Sequence, residues 1–104
     1  MTFVTSERWY KLSLMEQLAN IGSEVNRVMR ARGDEKKFES AINRGLELFD
    51  LTLSDPRWQN RRREIARARE LFCDAILGGS EYQTTFEDLD KYFYYFAYAV
   101  RSSK

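Results

Sequence analysis

Apolar residues recur along this chain at the three- and four-residue spacings of amphipathic helices. The clearest series lies between residues 7 and 31, where successive apolar positions are separated by four, four, three, four and three residues. Its members are Tyr10, Leu14, Leu18, Ile21, Val25 and Val28. This spacing places an apolar stripe on one side of a helix, so it predicts a first helix from about residue 7 to 31.

The pattern predicts three further helices, which span about residues 34–53, 56–77 and 85–101. Their limits follow from local stop and start signals. Gly33 and Gly78 suit helix ends, and Pro56 suits a first helical turn because it lacks a backbone N–H. Thr85 and Asp88 resemble a capping box in which aspartate replaces the usual glutamate.

Four helices joined by short connections predict an all-α, up-down-up-down antiparallel four-helix bundle. We expect residues 1–104 to form one domain, because the chain contains no linker or low-complexity tract. Gly33, Phe38, Ala41 and Pro56 loosely resemble a tetratricopeptide helix pair. The second predicted helix is about a turn too long for that repeat, however, and no second copy follows.

Composition narrows the classes of function. The net charge of +1 gives the whole molecule no strong attraction to nucleic acid or to an acidic membrane. No apolar run approaches the roughly 20 residues needed to span a bilayer, so we expect no membrane association. The single cysteine, Cys73, cannot form an internal disulfide, and the first residues lack a secretory signal. These features favour the cytoplasm.

The residue types argue against catalysis and against a bound cofactor. Histidine is absent, which removes the commonest general base and zinc ligand and half the ligands of a bundle di-metal site. Cys73 has no histidine partner and lies in an apolar run, so we expect it to be buried packing. Glu87, Asp88 and Asp90 fit helix capping. We therefore predict a protein that is not an enzyme, with no cofactor, metal or evident small-molecule substrate.

The segment from Lys91 to Val100 carries six aromatic rings in ten residues. Leu89, Phe93, Phe96 and Val100 are predicted to fill the core, which directs Tyr94, Tyr95 and Tyr98 outward, with Tyr92 at the border. Tyrosine is enriched at interfaces, so we expect these four residues to form an oligomer interface, most simply in a homodimer. Burial within one chain and stacking on a ligand or nucleic-acid base remain alternatives.

A second hypothesis concerns the arginines of the third predicted helix. Residues 57–70 contain six arginines and two glutamates, a net charge of +4. Antiparallel topology would gather this segment and both chain termini at one pole of the bundle. The predicted members are Arg8, Lys11, Arg57, Arg61, Arg62, Arg63, Arg101 and Lys104. Arginine suits phosphate and carboxylate, so nucleic acid or an acidic protein is an alternative partner. A solvated face of internal ion pairs is the simpler interpretation.

Overall fold

A computed structural model describes residues 5–102, and within that range the chain contains no β-strand. Its helices are α1 (Ser6–Trp9), α2 (Leu14–Arg30), α3 (Glu35–Leu53), a 3₁₀ helix (Pro56–Arg61), α4 (Arg62–Ile76) and α5 (Phe86–Ser102). The four long helices, α2 to α5, pack against one another. The all-α helical bundle predicted from the sequence is therefore confirmed. Lys104, one member of the predicted arginine pole, lies outside the described residues.

The structure divides the first predicted helix into α1 and α2. At Ser13 the backbone is extended, with φ −68° and ψ 164°. The Ser13 hydroxyl accepts a hydrogen bond from the Glu16 N–H at 3.1 Å, and Glu16 Oε1 accepts one from the Ser13 N–H at 3.0 Å. This reciprocal capping box begins a new helix at Leu14. The break allows Trp9, rather than Tyr10, to enter the core.

The third predicted helix also contains a change of geometry. Asp55 caps its start by accepting a hydrogen bond from the Arg57 N–H, and Pro56 occupies the first turn, as the sequence indicates. The first six residues form a 3₁₀ helix, and Trp58 departs from helical geometry with φ −102° and ψ 24°. Regular α-helix begins only at Arg62. The indole of Trp58 consequently faces α2 through a hydrogen bond to Gln17.

Phenylalanine rings and two glycines bring the helices together at the centre. The Phe49 ring centroid lies 5.6 Å from that of Phe72 and 6.1 Å from that of Phe93. Gly22 of α2 allows α5 to approach closely, since a Cβ at this position would lie 2.6 Å from Phe93 Cβ. Gly45 of α3 makes room for the Phe72 ring in the same way. The helices α2 and α5 therefore pack closely, and this contact depends on the absence of a side chain at Gly22.

The other neighbour of α5 is held less closely. α5 packs extensively on α2, but it makes few contacts with α4, and an open groove separates the two helices. Leu89 and Phe93 of α5 are buried as predicted, whereas Phe96 and Val100 are only partly buried. The predicted core stripe of this helix is therefore correct over its first half and incomplete over its second.

Candidate functional site

The groove between α4 and α5 has a volume of about 620 Å³. Its floor is apolar and includes Ala68 and Leu71 of α4 and Leu89 of α5. Polar and charged side chains line its rim: Asn60, Arg63, Glu64, Arg67, Thr84 and Asp88, with Tyr92 at one end. A volume of several hundred cubic ångströms with an apolar floor and a few polar groups is typical of a binding site.

The loop between α4 and α5 forms one end of this groove. Asp74, which is buried at the end of α4, accepts hydrogen bonds from the backbone N–H groups of Glu81 at 2.8 Å and of Tyr82 and Thr84 at 3.1 Å. Burial alone would raise the pKa of the Asp74 carboxyl, but these donors outweigh it and lower that pKa. The anchored loop places the centroid of the Tyr82 ring 4.4 Å from the guanidinium carbon of Arg67.

Tyr92 connects the groove to the aromatic segment of α5. Its side chain is 45% exposed, and its ring packs edge-on against Phe93 and Phe96. Burial of the rest of the ring raises the pKa of the Tyr92 hydroxyl, and the nearby Glu64 carboxylate acts in the same direction. A tyrosine hydroxyl is protonated at neutral pH even at its ordinary pKa of about 10, so this one is a hydrogen-bond donor.

The other tyrosines predicted for the interface are also exposed, but they do not share one face. Tyr94, Tyr95 and Tyr98 are 56%, 68% and 58% exposed. Tyr95 is three residues from both Tyr92 and Tyr98, so helical spacing places it between them around α5. The Tyr94 ring lies near that of Tyr98, and Tyr94 lines a shallow depression between α2 and α5. Tyr92 and Tyr94 therefore border different surfaces of the helix, with Tyr95 and Tyr98 between them.

Internal contacts engage several members of the predicted arginine pole. Arg57 binds the buried Asp55 carboxylate at 2.7 Å and also donates to the Leu12 carbonyl at 2.7 Å. Arg61 pairs with Glu64 at 2.8 Å, and Arg62 donates to the Leu53 carbonyl. These contacts agree with the simpler interpretation of a surface with internal ion pairs.

The remaining members of the pole lie in different places. Arg8, Lys11 and Arg63 are exposed, and the bond from Arg57 to Leu12 brings the 3₁₀ helix next to Lys11. Arg63 belongs to the rim of the α4–α5 groove. Arg101 lies instead near Tyr94, in the depression between α2 and α5. The sequence prediction thus assigned Arg63 and Tyr92 to separate sites, whereas the structure brings them to one groove.

A buried polar cluster, formed by Trp9, Gln17, Thr52, Asp55 and Trp58, lies where α1 and the 3₁₀ helix meet α2 and α3. The Gln17 amide donates to the Trp9 carbonyl at 2.9 Å and to Asp55 Oδ2 at 3.0 Å, and it accepts from the Trp58 indole at 2.9 Å. The Trp9 indole donates to the Thr52 hydroxyl at 2.9 Å. Hydrogen bonds from Arg57 hold the pKa of the Asp55 carboxyl below its ordinary value, against the effect of burial.

The buried polar cluster was not anticipated from the sequence, although a signal for it existed. Gln17 follows Leu14 by three residues and precedes Ile21 by four, so it lies on the apolar stripe of α2. A polar residue in that position needs buried partners. The groove had no comparable signal, because the separation of α4 from α5 is a property of packing.

Other kinds of site receive no positive support. Among residues 5–102, no group of three or more histidine, cysteine, aspartate or glutamate residues is placed to hold a metal ion. Cys73 is partly buried, and Arg69 Nη1 lies 3.9 Å from its sulfur. In the described part of the chain, no helix has both the length and the apolar character needed to cross a membrane.

The candidate site is therefore the α4–α5 groove together with the exposed tyrosines next to it. Comparison with known proteins gives no relative from which a role could be transferred. No family model, no curated protein and no solved structure matches this chain.

Proposed function

We propose that this chain is a cytoplasmic, non-catalytic interaction protein that associates with itself through the tyrosines of α5. The observation that carries the proposal is the exposure of Tyr92, Tyr94, Tyr95 and Tyr98, each with about half or more of its side chain accessible. Tyrosine combines a large apolar body with a hydroxyl, and exposed apolar patches of this kind mark interaction sites. The open groove next to Tyr92 adds a concave surface to the same region.

Light scattering combined with size-exclusion chromatography tests this proposal. The chain mass is 12.4 kDa, so we expect a mass of about twice that value or a higher multiple at micromolar concentrations. Replacement of all four tyrosines by serine should give a monomer with unchanged helical content. A wild-type chain that is monomeric throughout the micromolar range would contradict the proposal.

The alternative partner, nucleic acid, has weaker support. Arg57, Arg61 and Arg62 make internal contacts that a phosphate would have to displace. Binding to mixed-sequence DNA and RNA at two salt concentrations separates the two hypotheses, since phosphate contacts require steep weakening with salt. We expect no salt-dependent binding, whereas strong binding at low salt would favour the nucleic-acid hypothesis.

A further inference from the structure

We propose that the α4–α5 groove is covered by a second copy of this chain, with α4 of each protomer packed against α5 of its partner around a twofold axis parallel to these helices. This inference rests on the self-association proposed above. It goes further by naming the surface, the symmetry and the ion pairs, and it assigns Tyr94 and Tyr98 no part in the contact.

The charges of the two segments that border the groove are complementary. Residues 57–70 carry a net charge of +4, and residues 81–90 contain four acidic and no basic residues, a net charge of −4. In the structure, Arg63 and Arg67 of α4 and Asp88 of α5 lie on opposite sides of the groove. The groove therefore has one basic and one acidic wall.

Neighbouring charges leave this contrast between the walls in place. Glu64 also lies on the α4 wall, but Arg61 pairs with it at 2.8 Å. Glu70 pairs with Arg67 at 3.6 Å and partly offsets its charge, so Arg63 carries most of the positive charge of this wall. On α5, Glu87 pairs with Arg32 and Asp90 accepts a hydrogen bond from Asn26, so both are directed to elements outside the groove. Asp88 is the acidic side chain that lines the groove from α5.

Two kinds of twofold axis could bring two such grooves face to face. An axis perpendicular to the helices sets α4 on α4 of the partner and α5 on α5, so that walls of like charge meet. An axis parallel to the helices sets α4 on α5 of the partner, so that the basic wall of each copy meets the acidic wall of the other. Complementary charges favour the second arrangement, and like charges penalise the first.

The parallel axis also gives a familiar packing. α4 and α5 run antiparallel, as shown by Glu64 and Arg61 near Tyr92 and by Arg67 near Tyr82. Rotation about an axis parallel to the helices preserves their directions, so every neighbouring pair among the four helices is antiparallel. That is the arrangement of an up-down four-helix bundle, and its centre would cover Ala68, Leu71 and Tyr92.

Charge reversal tests the symmetry directly. The first variant, Arg63→Glu with Arg67→Glu, has two acidic walls, and the second, Asp88→Lys, has two basic walls. We expect each variant alone to dimerise at least about tenfold more weakly than the wild type, because like charges then meet twice. An equimolar mixture should recover a heterodimer with near wild-type affinity, since opposite walls then meet twice. Sedimentation velocity with one variant fluorescently labelled measures both effects.

Matched controls separate the groove from the rest of the surface. Arg30→Glu with Lys36→Glu reverses two exposed charges between α2 and α3, and this variant should dimerise like the wild type. Tyr94→Ser with Tyr98→Ser should also remain dimeric, whereas Tyr92→Ser with Tyr95→Ser should be monomeric. Circular dichroism verifies that each variant is folded.

The outcomes distinguish this inference from the proposal on which it depends. A monomeric wild-type chain contradicts self-association itself. A wild-type dimer that survives both charge reversals leaves self-association standing and overturns the groove as its site. Loss of both homodimers without recovery in the mixture contradicts the pairing of α4 with α5 of the partner.

Discussion

The buried polar cluster and the α4–α5 groove lie in the same small bundle, but the elements pack closely around the cluster and are separated at the groove. In the cluster, Gln17, Thr52 and Asp55 are almost fully buried, and each makes side-chain hydrogen bonds to other elements. In the groove, Leu71 and Tyr92 are left partly open above the buried Ala68 and Leu89, and the charges remain at the rim. A buried polar group must find its partners within the chain, whereas an open apolar surface can find them in another molecule.

The comparison shows which helices internal hydrogen bonds hold in one arrangement, and which helices leave surface exposed between them. Among the described residues, every buried polar side-chain atom has a hydrogen-bond partner. The cluster therefore fixes the positions of α1 and the 3₁₀ helix on α2 and α3. Among residues 5–102, no such hydrogen-bonded cluster joins α4 to α5 across the groove, and its charged rim side chains remain exposed to solvent.

The largest effect is expected from removing the centre of the buried polar cluster. Gln17→Leu leaves the Trp58 indole N–H without its partner and removes one hydrogen bond each from the Asp55 carboxylate and the Trp9 carbonyl, which keep Arg57 and the Leu12 N–H. Because an orphaned group costs about 1 to 3 kcal/mol and each further lost hydrogen bond about 0.5 to 1.5 kcal/mol, we expect the free energy of unfolding to fall by about 2 to 4 kcal/mol. Urea denaturation followed by circular dichroism measures this loss.

The matched control for this change is Gln59→Leu, which makes the same replacement at an exposed position of the 3₁₀ helix. It should alter the free energy of unfolding by no more than about 0.5 kcal/mol. Equal effects of the two replacements would show that the hydrogen bonds of Gln17 do not stabilise the fold.

A smaller effect, with a defined pH dependence, is expected at Asp55. Its pKa is lowered in the folded chain, so its contribution to stability is present above the ordinary value of about 4 and is lost as the pH falls through the folded pKa. Asp55→Asn should cost about 1.5 to 3 kcal/mol at pH 7, because it replaces a charged acceptor of Arg57. The wild type should therefore lose more stability than the variant between pH 7 and pH 3.

Unfolding by urea at the two pH values gives the comparison. Asp74, Glu64 and Glu87 also have lowered pKa values, and they make both proteins sensitive to acid. Only the difference between wild type and variant reports on Asp55. Parallel losses of stability would show that the ion pair with Arg57 does not stabilise the folded state.

The smallest effect distinguishes the two sides of α5. Gly22→Ala places a Cβ 2.6 Å from Phe93 Cβ and should force α2 and α5 apart, at a cost of about 1 to 2 kcal/mol. Leu71→Phe enlarges a partly buried side chain that lines the open groove, so it should change the stability of the monomer by less than about 0.5 kcal/mol. Thermal unfolding at low protein concentration compares the two variants.

Ser23→Ala, at the exposed neighbour of Gly22, serves as the control for changes in helix propensity. If Leu71→Phe destabilises the chain as much as Gly22→Ala, the contact of α4 with α5 is as tight as that of α2 with α5. The open groove would then be an incorrect description of this side of the helix.

Sequence periodicity predicted the class of fold and most of the core. Ile21, Val25, Phe72 and Phe93 are buried where their spacing placed them, because amphipathic helices have one energetically sensible way to face a common centre. The break before α2 was missed, although Ser13 and Glu16 have the spacing of a capping box. The apolar spacing continues through Tyr10 and therefore predicted one uninterrupted helix. In the structure, the hydrogen bonds of the capping box at Ser13 begin a new helix at Leu14.

The sequence by itself determined that this chain forms an antiparallel bundle of four long helices, and it identified Tyr92, Tyr94, Tyr95 and Tyr98 as residues outside the main core stripe. Only the tertiary structure decided that Tyr92 and Arg63 border one groove, and that Tyr94 lines a different depression, between α2 and α5. The physical reason is that periodicity specifies which side of a helix is apolar. It does not specify how closely two neighbours approach, which here depends on the Gly22 contact with Phe93 on one side and on the loop anchored by Asp74 on the other.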